Sequence, residues 1–195
     1  VPRAVEAHLY VLAADPRDPE TLEALDRIYT ENGASEALQE TLLGRATALA
    51  ATESPDTRDL VELHFRRAQV LENDLGRIDE AVAVYLHILD KLDKEHEPSI
   101  RALANIYTEK QDWPSLFRTF ERELEVALGD TGRADVFAKM ARLAEDHLGD
   151  DARATALWKQ VLDLRGEDPE ALNALGDLHA KNARWNDLVE VLDRE

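Results

Sequence analysis

The chain has 195 residues, of which 44% are hydrophobic and 33% charged, a balance typical of an ordered protein and not of a disordered tail. Its 41 acidic and 23 basic residues give a formal net charge of -18, which argues against nucleic acid as a partner, because phosphate binding depends on clustered Lys and Arg. The absence of cysteine excludes disulfides, thiolate metal ligands and cysteine nucleophiles.

Apolar residues recur at three- and four-residue spacing along almost the whole chain, a pattern that predicts amphipathic helices and not strands. Prolines and glycines fall between the apolar segments, where helices start and end. The pattern predicts eleven helices, near 3–14, 18–31, 35–52, 56–74, 78–93, 97–110, 113–128, 131–147, 151–164, 168–181 and 184–195. Because the connections are short, neighbouring helices are expected to pair as antiparallel hairpins.

The chain also repeats itself. Fourteen of its first 45 residues recur 150 positions later without a gap, so that the run 18–20 (Asp-Pro-Glu) returns as 168–170. A second alignment, offset by 72, pairs Trp113 with Trp185 and Leu116 with Leu188. The repeating unit is therefore a helical hairpin of about 36 to 40 residues, and such self-similarity is typical of solenoids.

Small, bulky and aromatic residues occupy fixed positions in four of these hairpins. The sets are Leu172, Leu175, Gly176, His179, Trp185, Leu188 and Leu192; Ile100, Leu103, Ala104, Tyr107, Trp113, Leu116 and Phe120; Ala68, Leu71, Gly76, Ala81, Tyr85 and Ile88; and Ala141, Ala144, Gly149, Ala154, Trp158 and Val161. The first hairpin, 22–42, matches less well. The pattern resembles the tetratricopeptide (TPR) repeat. The half-TPR (HAT) repeat of RNA-processing scaffolds shares the features at Trp113, Phe120 and Glu121 and stays open as an alternative.

The resemblance implies an all-α, right-handed α-α superhelix of about five hairpins plus one leading helix. The hairpins lie near 18–52, 56–93, 97–128, 131–164 and 168–195, and the leading helix near 3–14. We interpret 1–195 as a single solenoid segment, a fragment of a longer array. Its first helix aligns with second helices of hairpins, so both ends are expected to expose apolar surface and to allow end-to-end self-association.

No arrangement of residues indicates catalysis. The six histidines form no His-Glu-x-x-His motif, and Gly-rich phosphate loops and GxSxG are absent, so no enzyme activity, metal or cofactor is expected. His179 occupies an aromatic repeat position and is expected to pack, as are the three tryptophans. Asp135 and Lys139 are expected to pair along one helix face. No apolar run approaches the ~20 residues of a membrane span, so membrane insertion is not expected.

In TPR-like arrays the first helix of each hairpin lines the concave face, and its polar residues contact the partner. Alignment of the repeats places the candidate partner-binding residues on those helices: Arg27, Gln69, Arg101, Asn105, Arg142, Asn173 and Asp177. Arg101, Asn105 and Arg142 are expected to form a basic and amide patch suited to a peptide carboxylate. The resemblance thus implies a non-enzymatic scaffold that binds a protein or peptide. The alternative is a structural spacer or self-assembling segment of a larger repeat protein, in which the same residues would be paired internally.

Overall fold

A computed structural model describes residues 7–8, 10–11, 18–31 and 33–192. The predicted leading helix, 3–14, lies largely outside the described residues. Within the described ranges every regular element is helical, which confirms the all-α prediction.

The helices follow the predicted segments closely. They are α1 (Pro19–Glu31), α2 (Ser35–Ala50), α3 (Thr57–Gln69), α4 (Ile78–His87), α5 (Glu97–Glu109), α6 (Trp113–Val126), α7 (Gly129–Leu143), α8 (Asp151–Arg165), α9 (Pro169–Lys181) and α10 (Trp185–Leu192). Helices α3, α4 and α7 continue into wider π-helical turns, Val70–Asp74, Ile88–Leu92 and Ala144–Leu148. The apolar pattern runs through these turns without a break, and for this reason the sequence predicted uninterrupted α-helix there.

Aspartates start many of the helices. Asp56, Asp112, Asp150 and Asp168 each accept a hydrogen bond from a backbone N–H in the first turn of the helix that follows. Such caps satisfy amide groups that have no partner inside the helix, and they define where the helix begins. The turns between helices place glycines at positive φ, as at Gly149 (φ 62°), where a Cβ would be strained.

The chain divides into two compact units, Val1–Ala102 and Leu103–Glu195, and the boundary falls inside α5. In the first unit, α1 packs on α2, α2 on α3 and α3 on α4. In the second unit, α6 packs on α7, α7 on α8, α8 on α9 and α9 on α10. The single solenoid over 1–195 stays a prediction.

Small residues in the helix crossings form the tightest parts of both cores. Ala68 and Ala141, two small residues of the repeat pattern, are fully buried. The bulky residues that follow them in the repeat, Tyr85 and Trp158, are exposed by only 1% and 2%. Burial of large side chains against small ones fills the space between helices at the density of a protein interior. His179 is 1% exposed, which confirms that it packs.

The tryptophan prediction is wrong at one position. Trp158 is buried and Trp113 packs against the core of the second unit, but Trp185 is 62% exposed. Trp185 is the first residue of α10, and α9 is the helix that packs against α10. An indole that faces away from its one packed neighbour has nothing to be buried against.

We expect Ala141→Leu to lower the free energy of unfolding by about 1–3 kcal/mol, because three extra carbons must fit at a fully buried crossing. Ala156→Leu is the matched control, since Ala156 lies exposed on α8 and its replacement changes stability by about 0.5 kcal/mol or less. Urea unfolding followed by circular dichroism measures both variants. Equal effects at the two positions would show that α7 and α8 are not closely packed.

We expect Asp168→Ala to cost about 1 kcal/mol at pH 7, since it removes the cap of α9. The hydrogen bond from the Ala171 N–H, with help from Arg165, lowers the pKa of Asp168. The stabilisation is therefore complete above the unfolded-state pKa of about 3.9 and is lost as the pH falls through the lower folded-state pKa. Unfolding curves of wild type and variant should converge below that pH, whereas Glu167→Ala, in the adjacent turn, should match wild type throughout.

Candidate functional site

The first helices of the hairpins carry exposed polar strips at three- and four-residue spacing. The described strips are Glu20, Glu23, Arg27 and Glu31 on α1; Arg101, Asn105 and Thr108 on α5; Asp135, Lys139 and Arg142 on α7; and Glu170, Asn173 and Asp177 on α9. Because these positions recur every turn, each strip follows one side of its helix, opposite or beside the buried face. They are the surfaces on which a partner can be contacted without disturbing the cores.

Six of the seven predicted partner-binding residues are exposed: Arg27, Arg101, Asn105, Arg142, Asn173 and Asp177. The seventh, Gln69, is half-buried near the end of α3. Arg27, Gln69 and Arg101 belong to the first unit, and the other four belong to the second. The patch that was expected to unite Arg101, Asn105 and Arg142 stays a prediction.

Arg142 is the predicted site residue with the most contacts. Its Nε and a terminal nitrogen donate to the two carboxylate oxygens of Glu170 at 2.5 Å each, a bidentate pair that joins α7 to α9. The guanidinium also lies over the Trp158 ring, 5.8 Å from its centroid. The hydrogen bond to Glu170 raises the pKa of Arg142. Asn173 and Asp177 lie one and two turns beyond Glu170 on the same strip of α9.

Arg101 and Asn105 differ from Arg142 in having no partner among the described residues. They lie one turn apart on α5, and neither side chain makes a hydrogen bond or ion pair there. Arg27 on α1 likewise makes no side-chain hydrogen bond or ion pair with the described residues. A long cation and an amide at successive turns present donors and acceptors to solvent, and both are available to an incoming peptide.

Sequence reasoning missed Glu170, because its role depends on a helix pair that is remote in sequence. The expected pairing of Asp135 with Lys139 is wrong for the same reason. Lys139 donates to Glu123 of α6 at 2.6 Å, and Asp135 pairs with Arg165 of α8. Both partners lie on packed neighbouring helices and outcompete the contact along α7, which contributes only about 0.2–0.5 kcal/mol.

A family model described as "Tetratricopeptide repeat" matches residues 99–134, which span α5, α6 and the start of α7. The chain contains a TPR repeat. This match covers Trp113, Phe120 and Glu121, on which the HAT alternative rested, and favours TPR over it. No curated protein sequence matches the chain significantly.

Solved TPR structures share the fold. The C-terminal part of a TPR repeat-containing protein from Cytophaga hutchinsonii is 15% identical, with a TM-score of 0.53 over 96% of this chain and 72% of that chain. A tetratricopeptide repeat protein from Parabacteroides merdae ATCC 43184 is 17% identical, with a TM-score of 0.50 over 98% of this chain and 72% of that chain. BtubC (BKLC) from P. vanneervenii is also 17% identical, with a TM-score of 0.50 over 98% and 85%. At these identities the likeness shows the fold alone, and it confirms the TPR-like prediction.

Two arginines of the first unit, Arg45 and Arg67, are partly desolvated. Burial lowers the pKa of Arg45 to about 10, against the opposing influence of Asp59. Burial also lowers the pKa of Arg67, whose Nε donates to Gln39 at 3.2 Å. A polar network thus ties α3 to α2, and a bond from Arg77 to Glu36 ties the start of α4 to the same helix. These contacts hold the first two hairpins together. Because Arg67 and Arg77 are engaged in them, neither is a free group for binding a partner.

A cleft between α8 and α9 is smaller than a typical ligand site. The cleft lined by Asp151, Thr155, His179 and Asn182 holds about 80 Å³, well below the roughly 300–1,000 Å³ of ligand pockets. The described residues contain no group of three or more His, Asp or Glu side chains placed to hold a metal ion. Among the described helices, none is long and apolar enough to cross a membrane.

We expect the Arg142–Glu170 pair to be worth less than about 1 kcal/mol, because both side chains are about half exposed. A double-mutant cycle with Arg142→Met and Glu170→Gln measures the coupling, and raising the salt concentration should reduce it. The pair Lys94–Glu95, which is more exposed at both ends, is the control and should show no measurable coupling. A coupling of several kcal/mol would mean that the pair is part of the core and not of a binding surface.

Proposed function

We propose that the chain is a non-enzymatic scaffold that binds a protein or peptide across the exposed strips of its first helices. The TPR-like fold is that of protein–protein interaction scaffolds in general. The observation that supports groove binding in this chain is the pair Arg101 and Asn105. The two residues are exposed one turn apart within the TPR match, with no partner among the described residues.

The partner's chemistry follows from the state of Arg142. Its charge is already balanced by Glu170, so a carboxylate of the partner must replace that of Glu170 to bind it. A half-exposed ion pair opposes this by less than about 1 kcal/mol, so the exchange is possible. On α9, Asn173 supplies a neutral donor and acceptor one turn after Glu170, and Asp177 supplies a negative charge one turn later. The strips of α5, α7 and α9 therefore suit a peptide that offers one carboxylate along with backbone amides or basic groups.

The second candidate function is a structural spacer or self-assembling segment. The Arg142–Glu170 pair favours it, because a spacer needs its polar strips satisfied internally. The two functions differ in what happens when the strip residues are reversed in charge. A spacer keeps its interactions with other molecules, and a groove binder loses them.

We expect Arg101→Glu with Arg142→Glu to weaken partner binding at least about tenfold, equivalent to 1.4 kcal/mol, because both cationic donors are replaced by repelling charges. Affinity purification with the full chain, followed by titration of each retained protein, measures the change. The matched control is Lys91→Glu with Lys159→Glu, which makes the same change of net charge on exposed residues of the π-helical turn after α4 and of α8.

Binding that is lost in the first variant and kept in the second supports the groove. If both variants retain every partner, the groove proposal is wrong. Glu170→Gln adds a second measurement, since it frees Arg142 and should tighten the binding of an acidic partner while leaving α9 capped by Asp168.

A further inference from the structure

The exposed face of α10 is an apolar surface outside the polar strips. Trp185 is 62% exposed and Val189, one turn later, is 57% exposed. They are the large apolar side chains most open to solvent on any helix between Pro19 and Leu192 whose side chains the structure describes. A cleft of about 280 Å³ lies beside Trp185, between Ala183 and Asp187. Contiguous exposed apolar groups of this kind mark interaction surfaces.

An internal copy of this surface exists on α6. In the alignment offset by 72, Trp185 corresponds to Trp113, Val189 to Phe117 and Glu195 to Glu123. Trp113 and Trp185 each stand at the first position of a second helix. What covers α6 therefore indicates what fits α10.

The turns that lead into the two helices have the same backbone geometry. Gln111 and Ala183 both adopt positive φ, at 55° and 54°. In the first turn the Asp112 N–H donates to Tyr107 O at 2.9 Å, and in the second the Arg184 N–H donates to His179 O at 2.8 Å. Trp113 and Trp185 each follow a turn of the same geometry, so each tryptophan has the same position relative to its own hairpin.

The hairpin that packs over α6 is the one that follows it, α7–α8. The Trp113 ring stacks on His147, with centroids 3.9 Å apart and an interplanar angle of 13°. Two turns before His147, Lys139 donates to Glu123 at 2.6 Å and lies 5.8 Å from the Phe120 ring centroid. A planar ring in the π-helical turn after α7 thus covers the start of α6, and a cation within α7 binds the acidic end of α6.

The first unit contains a polar version of the same contact. Ser35, the first residue of α2, lies 3.4 Å from the carboxylate of Asp74, which ends the π-helical turn after α3. His147 likewise lies in the π-helical turn after α7. The start of a second helix thus meets the π-helical turn of the next hairpin in both units, and the side chains at the two positions are matched in character.

We propose that the exposed face of α10 binds a helical hairpin of the α7–α8 type, one that has a planar ring in the turn after its first helix and a lysine two turns before that ring. The ring fills the cleft beside Trp185 and stacks on the indole, and the start of the second helix of the hairpin lies over Val189, as Arg153 of α8 lies 4.9 Å from the Phe117 ring centroid. Arg184 stands where α6 has Asp112, so this hairpin differs from α7–α8 in preferring an acidic group next to the ring.

The test adds a second copy of residues 124–165 directly after Glu195, which continues the repeat in register because Glu195 aligns with Glu123. Trp185→Ala is then introduced into the original and the extended chain. In the original chain the substitution should shift Tm by about 1 °C or less, since the indole is exposed. In the extended chain it should lower Tm by about 3 °C more, because a stacked ring pair is lost. Trp113→Ala in the original chain is the benchmark for that loss.

Three results overturn the proposal. The first is an equal Tm shift in both chains. The second is that the added segment neither raises the helical ellipticity per molecule nor protects tryptophan fluorescence from quenching by acrylamide. This result would mean that the segment does not pack against α10. The third is dimerisation of the original chain in sedimentation velocity that Trp185→Ala abolishes, since the occupant is then a second copy of the chain and not such a hairpin.

Discussion

The close approach of helices at small buried residues is the constraint on which the structure depends. Ala141, Ala144 and Ala154 have no exposed surface, and they lie in the same core as the nearly buried Trp158. A larger residue at these crossings would push the helices apart and open space around the indole. Since each hairpin buries its apolar face mainly against its neighbours, stability is close to a sum of such local crossings.

This packing leaves the polar strips free to differ between repeats. The α1 strip is mostly acidic, α5 offers Arg101 and Asn105, and α9 combines Asn173 with two acids. None of these residues is needed to hold a crossing together. Stability and surface chemistry are therefore carried by different positions of the same helix, and such a separation lets one fold serve many functions.

The sequence predicted what depends on periodicity. Helix positions, glycine turns and the burial of Trp158 and His179 all follow from the spacing of apolar and turn residues within one hairpin. It failed where a contact joins residues on different helices. Lys139 binds Glu123 and not Asp135, and Arg142 is held by Glu170, because side chains from packed helices are closer than the spacing along one helix suggests. The prediction that Trp185 packs in a core failed for a different reason. Its position in the repeat is buried only when another helix covers it.

The Arg142–Glu170 ion pair joins α7 to α9, which belong to successive hairpins, and so links two repeats. A ligand that binds Arg142 in place of Glu170 breaks this link between the repeats. The hairpin of α9 and α10 then keeps its apolar packing and the hydrogen bonds from Lys181 and Asn182 to Asp151, but it has lost its ion pair with α7. Occupancy of the polar strip would thus be felt as a change in the stiffness of the array, even where the ligand touches neither α8 nor α10.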